Sequence, residues 1–198
     1  AYAHLILTIH FHQVEVLGQQ FKNAMYRLRR ALSKNIIQFD QASDRYAFNW
    51  ETDYQYDLEL FREMFKRAQQ AKNKDDKLSW FTKAIDIYRG DYLIEAEGVW
   101  AIPIRESLRR SYTDSVLAVI ELQIDRQEYD QALQYCLDLI SKDPCQEVAH
   151  RFAMQVFAAQ SNRAEVARQY NQCSRSLAEH LGATPSVETE SLYKQLMN

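Results

Sequence analysis

Eight side chains near the start of the chain carry its most readable chemistry: Lys22, Asn23, Tyr26, Arg27, Arg29, Arg30, Lys34 and, a little further on, Arg45. On a helix, the first seven share a face that alternates cations with hydrogen-bonding groups. Arginine on such a face pairs bidentately with a guanine edge, and lysine neutralises a phosphate. Asn23 has the amide needed to read adenine, and Tyr26 can touch a phosphate or a thymine methyl group. Arg45 lies at the end of a loop, where it can enter a minor groove or meet the backbone. The competing reading is a solvated basic face on an amphipathic helix, which the charges alone leave open.

Other candidate groups point to no chemistry. His10 and His12, with His4 nearby, lack a placed third ligand and read as surface residues rather than a metal site. Cys136, Cys145 and Cys173 are odd in number and have no metal-ligand spacing. Trp80, Phe81, Tyr88, Tyr92 and Trp100 recur at helical spacing, which favours core packing over a ligand pocket. Arg105, Arg109 and Arg110 stand near Glu106 and Asp114, so a mixed charged face is expected there. No phosphate-binding loop, dinucleotide glycine fingerprint, nucleophile elbow or H-E-x-x-H motif occurs, and Asp75-Asp76 sits where a helix cap is wanted. A binding protein without a cofactor is expected, not an enzyme.

The elements that must position the basic face follow from composition and period. The chain has 198 residues, enough for one large domain or two small ones. With 46% apolar and 26% charged residues it is neither disordered nor collagen-like. Four glycines and three prolines supply too few turns for a many-stranded sandwich or barrel, so the chain reads as mainly α. No apolar run is long enough to span a membrane and no cleavable signal pattern opens the chain. Three thiols without a pairing pattern suit a reducing cytoplasm. The net charge of −3 is uneven: residues 1–50 hold six cations against Glu15, Asp40 and Asp44, a balance of +3 that leaves −6 for the remainder. A polyanion-facing end joined to a protein-facing body is implied.

Residues 1–18 are ambiguous. Leu5, Ile6, Leu7, Ile9 and Phe11 suit either a buried helix or a strand. From Gln19, the apolar positions Phe21, Ala24, Met25, Leu28, Ala31 and Leu32 recur at three and four, which predicts a helix with these on its core side. The period then changes to two. Ile37 and Phe39, then Tyr46, Phe48 and Trp50, predict two strands joined by a loop over 41–45.

Helical patterning resumes at Asp57 and continues to the end. Asp57 is expected to cap a helix burying Leu58, Phe61, Phe65 and Ala68, and Asp75 or Asp76 to cap the next, which stops at Gly90. After an irregular stretch over 91–101, Pro103 suits the first turn of a long helix reaching about Asp125. A helix from Glu128 to about Ser141 buries Tyr129, Ala132, Leu133, Cys136, Leu139 and Ile140. Asp143-Pro144 is expected to cap and begin a helix reaching Ala159, with Gln146 closing a capping box. A helix from Arg163 to His180, a stop at Gly182 and a short helix opened by Thr184-Pro185 complete the pattern. Helix pairs of about 34 residues have the tetratricopeptide period, and stacked pairs bury one core while leaving a surface for protein segments.

In this order, the residues resemble a known arrangement. Phe21-Lys22-Asn23-Ala24-Met25-Tyr26-Arg27-Leu28-Arg29-Arg30-Ala31-Leu32 is similar to the end of the recognition helix in bacterial activators of the antibiotic-regulatory-protein type. Tyr46-Ala47-Phe48-Asn49 resembles the aromatic strand that ends their wing. The remainder resembles their bacterial transcriptional activator domain, in the phrases Ala84 to Leu93, Trp100 with Arg105-Glu106, Asp143 to Arg151, Ala167 to Tyr170, Pro185 to Thr189, and Leu192-Tyr193. The resemblance implies a partial winged helix-turn-helix DNA-binding domain over 1–52, then a tetratricopeptide-like activator domain over 53–198. It also implies two helices and a turn ahead of the recognition helix. Residues 1–18 are too few for these, so the join near Gly18-Gln19 is expected to be short by several residues.

A transcription regulator is therefore expected. Its basic helix and wing would bind double-stranded promoter DNA, and its helical repeats would contact a protein, either the transcription machinery or a second copy in a homodimer. No membrane partner is expected. The alternative is a tetratricopeptide scaffold that binds a protein and never touches DNA.

Overall fold

The computed structural model describes residues 21–27, 30, 36–41, 45–49, 51, 56–94 and 99–198. The chain divides into two units, Ala1–Gln55 and Tyr56–Asn198.

In the first unit, residues 21–27 are helical (α1). Strands β1 (Ile37–Asp40) and β2 (Arg45–Phe48) then form an antiparallel hairpin. Its register pairs Ile37 with Phe48, Phe39 with Tyr46 and Asp40 with Arg45. The cross-strand rings of Phe39 and Tyr46 lie 4.8 Å apart, and Phe21 meets Tyr46 edge-on at 5.4 Å. The amide of Asn49 donates to the Ile36 carbonyl at 2.7 Å and closes the open end of the hairpin. Two details differ from the periodic reading. Ala24 is exposed although it falls on the predicted core stripe, where Met25 is buried and Phe21 half-buried. Arg45 belongs to the second strand rather than the loop, because its pairing with Asp40 adds one more rung to the ladder.

The second unit comprises α2 (Asp57–Gln70), α3 (Lys74–Ile87), α4 (Ala101–Asp125), α5 (Tyr129–Lys142), α6 (Glu147–Ala159), α7 (Arg163–Leu181) and α8 (Val187–Met197). Each helix packs on the next from α2 to α8, and α4 and α8 also touch α6. Most connections are only a few residues long, which makes neighbours antiparallel. In α4, Leu108, Tyr112, Ser115, Val116, Val119, Ile120, Leu122 and Gln123 are buried. These positions wrap around the helix instead of forming one stripe, as a central helix packed between α3, α5 and α6 requires. One cluster runs from Leu58 and Phe61 through Val116 and Ile120 to Ala149 and Val156. Each fully buried side chain of the Ile120 kind contributes about 1.5–3 kcal/mol.

The repeat is visible in the hydrogen bonds of two loops. Gln127 and Ser161, 34 positions apart, both adopt the left-handed conformation, with φ of 61° and 59°. The amide of Glu128 donates to the Gln123 carbonyl, and that of Asn162 to the Phe157 carbonyl, the same bond one period later. The four-residue bonds from Ala132 to Glu128 and from Val166 to Asn162, which open the helices that follow, are a second matched pair. The expected 34-residue helix pair is thus present as α4–α5 and α6–α7.

Several helix starts fall elsewhere than predicted, including α8, which begins at Val187 with Ser186 at its cap rather than at Thr184-Pro185. Asn73, rather than Asp75 or Asp76, caps α3: its side-chain oxygen accepts from the Asp76 amide at 2.7 Å while its amide donates to the Asp76 carboxylate at 2.6 Å. Asp57 is the first residue of α2 and holds the Leu58 amide at 2.8 Å, with Tyr56 at the cap position. Asp143-Pro144 does not open α6. The Gln146 amide donates to the Asp143 carbonyl at 3.1 Å, which makes a β-turn with proline second, and α6 begins at Glu147. The stop at Gly182 is as expected. Its left-handed φ of 62° lets the Ala183 amide reach back to the Leu177 carbonyl.

Candidate nucleic-acid interface

Lys22, Asn23, Tyr26 and Arg27 are exposed on α1, Arg30 is exposed and helical, and Arg45 is exposed at the start of β2. Tyr26 has 66% of its surface accessible, an unusual exposure for a large ring. Met25, on the same helix, is buried. An exposed cationic and polar face is thereby combined with an anchoring apolar side. Arg29 and Lys34 lie outside the described residues, as do His4, His10 and His12. A helix carrying this face, followed by a hairpin with an arginine at its tip, can offer direct contacts to base edges and phosphates.

The second unit holds its cations differently. Arg105 donates to the carbonyl oxygens of Tyr92 (2.9 Å) and Leu93 (2.6 Å). Arg109 binds the Asp91 carboxylate at 2.5 Å, and the Tyr88 hydroxyl donates to the same carboxylate at 2.8 Å. The Arg109 bond is the largest influence holding Asp91 below the ordinary carboxylate range. These arginines therefore pin the segment after α3 onto α4. The mixed charged face that the sequence suggested is, at Arg105 and Arg109, a clamp on a neighbouring loop.

Two phrases far apart in sequence also meet. The Glu147 carboxylate accepts from the Ser186 amide (2.9 Å), the Ser186 hydroxyl (2.7 Å) and the Thr189 hydroxyl (2.6 Å). Arg151 donates to Thr189 Oγ1 at 3.0 Å. Burial pushes the Glu147 carboxyl upward, but the Thr189 and Ser186 bonds outweigh it and hold the group below its usual range. This polar lock fastens α8 to α6.

His150 is fully buried beside it. Its Nε2 lies 3.0 Å from the Pro144 carbonyl, which can only accept, so Nε2 carries the proton. Nδ1 is then the acceptor for the Gln169 amide at 2.5 Å. Burial lowers the His150 pKa and keeps the ring neutral. Sequence periodicity passed over both networks because they join residues with no local spacing relation. The one available signal was a histidine and a glutamine at core-facing positions of α6 and α7.

The cysteines act as small apolar groups. Cys136 and Cys173 are buried, and burial pushes their thiols up to about 12 and about 11. Cys145 is half-buried in the Asp143–Gln146 turn, its thiol directed at the Ser176 carbonyl. Among the aromatic candidates, Phe81 is core, Trp80 carries Arg67 and Lys83 over its ring, and Trp100 is exposed. Among the described residues, no group of three His, Cys, Asp or Glu side chains is placed to hold a metal ion.

Residues 56–197 match the model of the bacterial transcriptional activator domain. The chain belongs to that family. Mycobacterium tuberculosis EmbR, solved in complex with a low-affinity phosphopeptide, has a similar structure, with a TM-score of 0.68 at 15% identity. The likeness covers 94% of this chain and 51% of EmbR, so the chain spans about half the length of that protein. At that identity the likeness shows the fold alone. Comparison with curated proteins gives no match. The expected architecture is present: a tetratricopeptide-like array preceded by a helix and a two-stranded wing. Membership places the chain in a family of transcriptional activators. No described helix is long and apolar enough to cross a membrane.

Proposed function

We propose that this chain is part of a transcription regulator in which residues 1–52, a partial winged helix-turn-helix domain, bind promoter DNA. Residues 53–198 form the activator domain and contact a protein, either the transcription machinery or a second copy. The observation that carries the reading is the exposed set Lys22, Asn23, Tyr26, Arg27 and Arg30, followed by a hairpin with Arg45 exposed, in a chain of the activator family. Arg29 and Lys34 extend the same basic run in sequence. Lys22, Arg27, Arg30 and Arg45 would neutralise phosphates, Asn23 would read a base edge, and Tyr26 would close against the backbone or a thymine methyl. The second unit supplies no DNA contact in this reading. The phosphopeptide in the EmbR structure is in keeping with a protein segment as partner.

The test is fluorescence anisotropy of a labelled duplex across a salt series. Four neutralised phosphates give a slope of log affinity on log salt of about −3 to −4. Arg27→Ala with Arg30→Ala should reduce that slope by about 2 and leave the thermal midpoint in place, since both side chains are exposed. Absence of duplex binding at about 50 mM salt, well within reach of the electrostatic term, would overturn the reading. It would favour a scaffold that binds protein alone.

A further inference from the structure

The hairpin of the first unit has two unlike faces. Its register sets Phe39 opposite Tyr46 and Asp40 opposite Arg45, and side chains alternate along each strand. Ile37, Phe39 and Tyr46 therefore share one face, while Gln38, Asp40, Arg45 and Ala47 share the other. Burial agrees with this division. Ile37 and Tyr46 are half-buried, whereas Gln38, Asp40, Arg45 and Ala47 are exposed.

The apolar face is the one that meets α1. Tyr46 takes the Phe39 ring at 4.8 Å from across the ladder and the Phe21 ring edge-on at 5.4 Å from the helix. Met25, one turn after Phe21, is buried on the same side of α1, while Lys22, Asn23, Tyr26 and Arg27 are exposed. The anchoring side of the helix and the anchoring face of the hairpin thus touch at Tyr46, directly beside Arg45 in sequence. Two binding elements held at a fixed separation engage one duplex in a single association. Loosely joined, the second must be ordered anew, which costs affinity.

We infer that Tyr46 is a positioning residue: with Phe21 and Phe39 it holds the wing at a fixed angle to α1, so that Arg45 reaches a phosphate while the helix face is engaged. This rests on the reading of residues 1–52 as a DNA-binding module. In this role Tyr46 acts through Arg45.

The experiment is salt-series anisotropy on the full chain, run as a double-mutant cycle. Tyr46→Ala should lower the slope by about 1, the contribution of one phosphate contact, and weaken binding about tenfold at about 0.1 M salt. Arg45→Ala should do the same alone and add nothing on the Tyr46→Ala background. Arg27→Ala should still lower the slope by about 1 on that background, because the helix keeps its own contacts. A merely structural tyrosine would not separate the two arginines, since unfolding of the unit removes both contributions together. Tyr46→Phe keeps the ring and should bind like wild type. Should Tyr46→Ala fail to fold, Phe21→Leu, which leaves an apolar group on α1 but no ring edge, should show the same non-additivity with Arg45→Ala. Additive losses in the cycle, a Tyr46→Phe variant as weak as Tyr46→Ala, or disappearance of the Arg27 effect would overturn the inference and leave the DNA-binding reading standing. Absence of duplex binding by the wild type would overturn both.

Discussion

Glu147→Ala removes the acceptor on which α8 is hung. In the native chain that carboxylate takes three bonds, from the Ser186 amide and hydroxyl and from the Thr189 hydroxyl, at 2.9, 2.7 and 2.6 Å. Thr189 is fully buried, so its hydroxyl gains no water in exchange, although Arg151 and Ser186 still lie at 3.0 and 3.1 Å. Hydrogen bonds to a charged group are worth about 1.5–3 kcal/mol each, but Ser186 is only half-buried and is partly re-solvated. The expected total cost is therefore about 3 kcal/mol rather than the full sum. For a unit of this size that is a fall of about 6–12 °C in thermal midpoint. Hydrogen exchange locates the damage: amides of α8 should lose protection before those of α4 and α5, because α8 is a terminal element held to α6 and α7. Thr189→Val, of the same shape without the hydroxyl, should cost about 1–2 kcal/mol. A midpoint within 1 °C of wild type for Glu147→Ala, where about 3 kcal/mol is expected, would show that the lock contributes nothing and that apolar contacts alone hold α8.

Three further outcomes follow from the same geometry. The folded His150 pKa is depressed, so its contribution is complete above its unfolded value of about 6.5 and is lost as pH falls below that value; urea unfolding from pH 7 to 5 should show the decline, and His150→Gln should flatten it. Gln127 carries the cost of a left-handed φ at an exposed loop, so Gln127→Gly should raise stability by about 0.5–1 kcal/mol in chemical denaturation, whereas Gln127→Val should lower it. With Cys136 and Cys173 buried and their thiols raised to about 12 and about 11, an aromatic disulfide reagent at pH 8 should modify Cys145 first and the other two only on unfolding.

Whatever depends on neighbours in sequence was legible before any coordinates. The change from period three-and-four to period two announced α1 followed by a hairpin, since alternation of side chains on a strand and their return every turn on a helix are local facts. The 34-residue recurrence is local too, because each loop uses the same bonds and each helix pair exposes an apolar face that only a neighbouring pair covers. Cap positions were less certain, since Asn73 competes with Asp75 and Asp76, and Asp143-Pro144 suits a β-turn as well as a helix start.

Tertiary structure decided the rest. Arg105 and Arg109 looked like surface charge until the segment after α3 folded back beneath them. Glu147 and Thr189 are 42 positions apart, and His150 and Gln169 are 19 apart, so no periodicity links them. Their partnership arises because stacking α6 on α7 and α8 buries polar groups, and a buried polar group must find whichever partner the packing brings. The contact between the Tyr56 and Tyr92 hydroxyls has the same origin. Tyr56 and Tyr92 stand 36 positions apart, and only the pairing of α2 with α3 sets their hydroxyls 3.0 Å from one another.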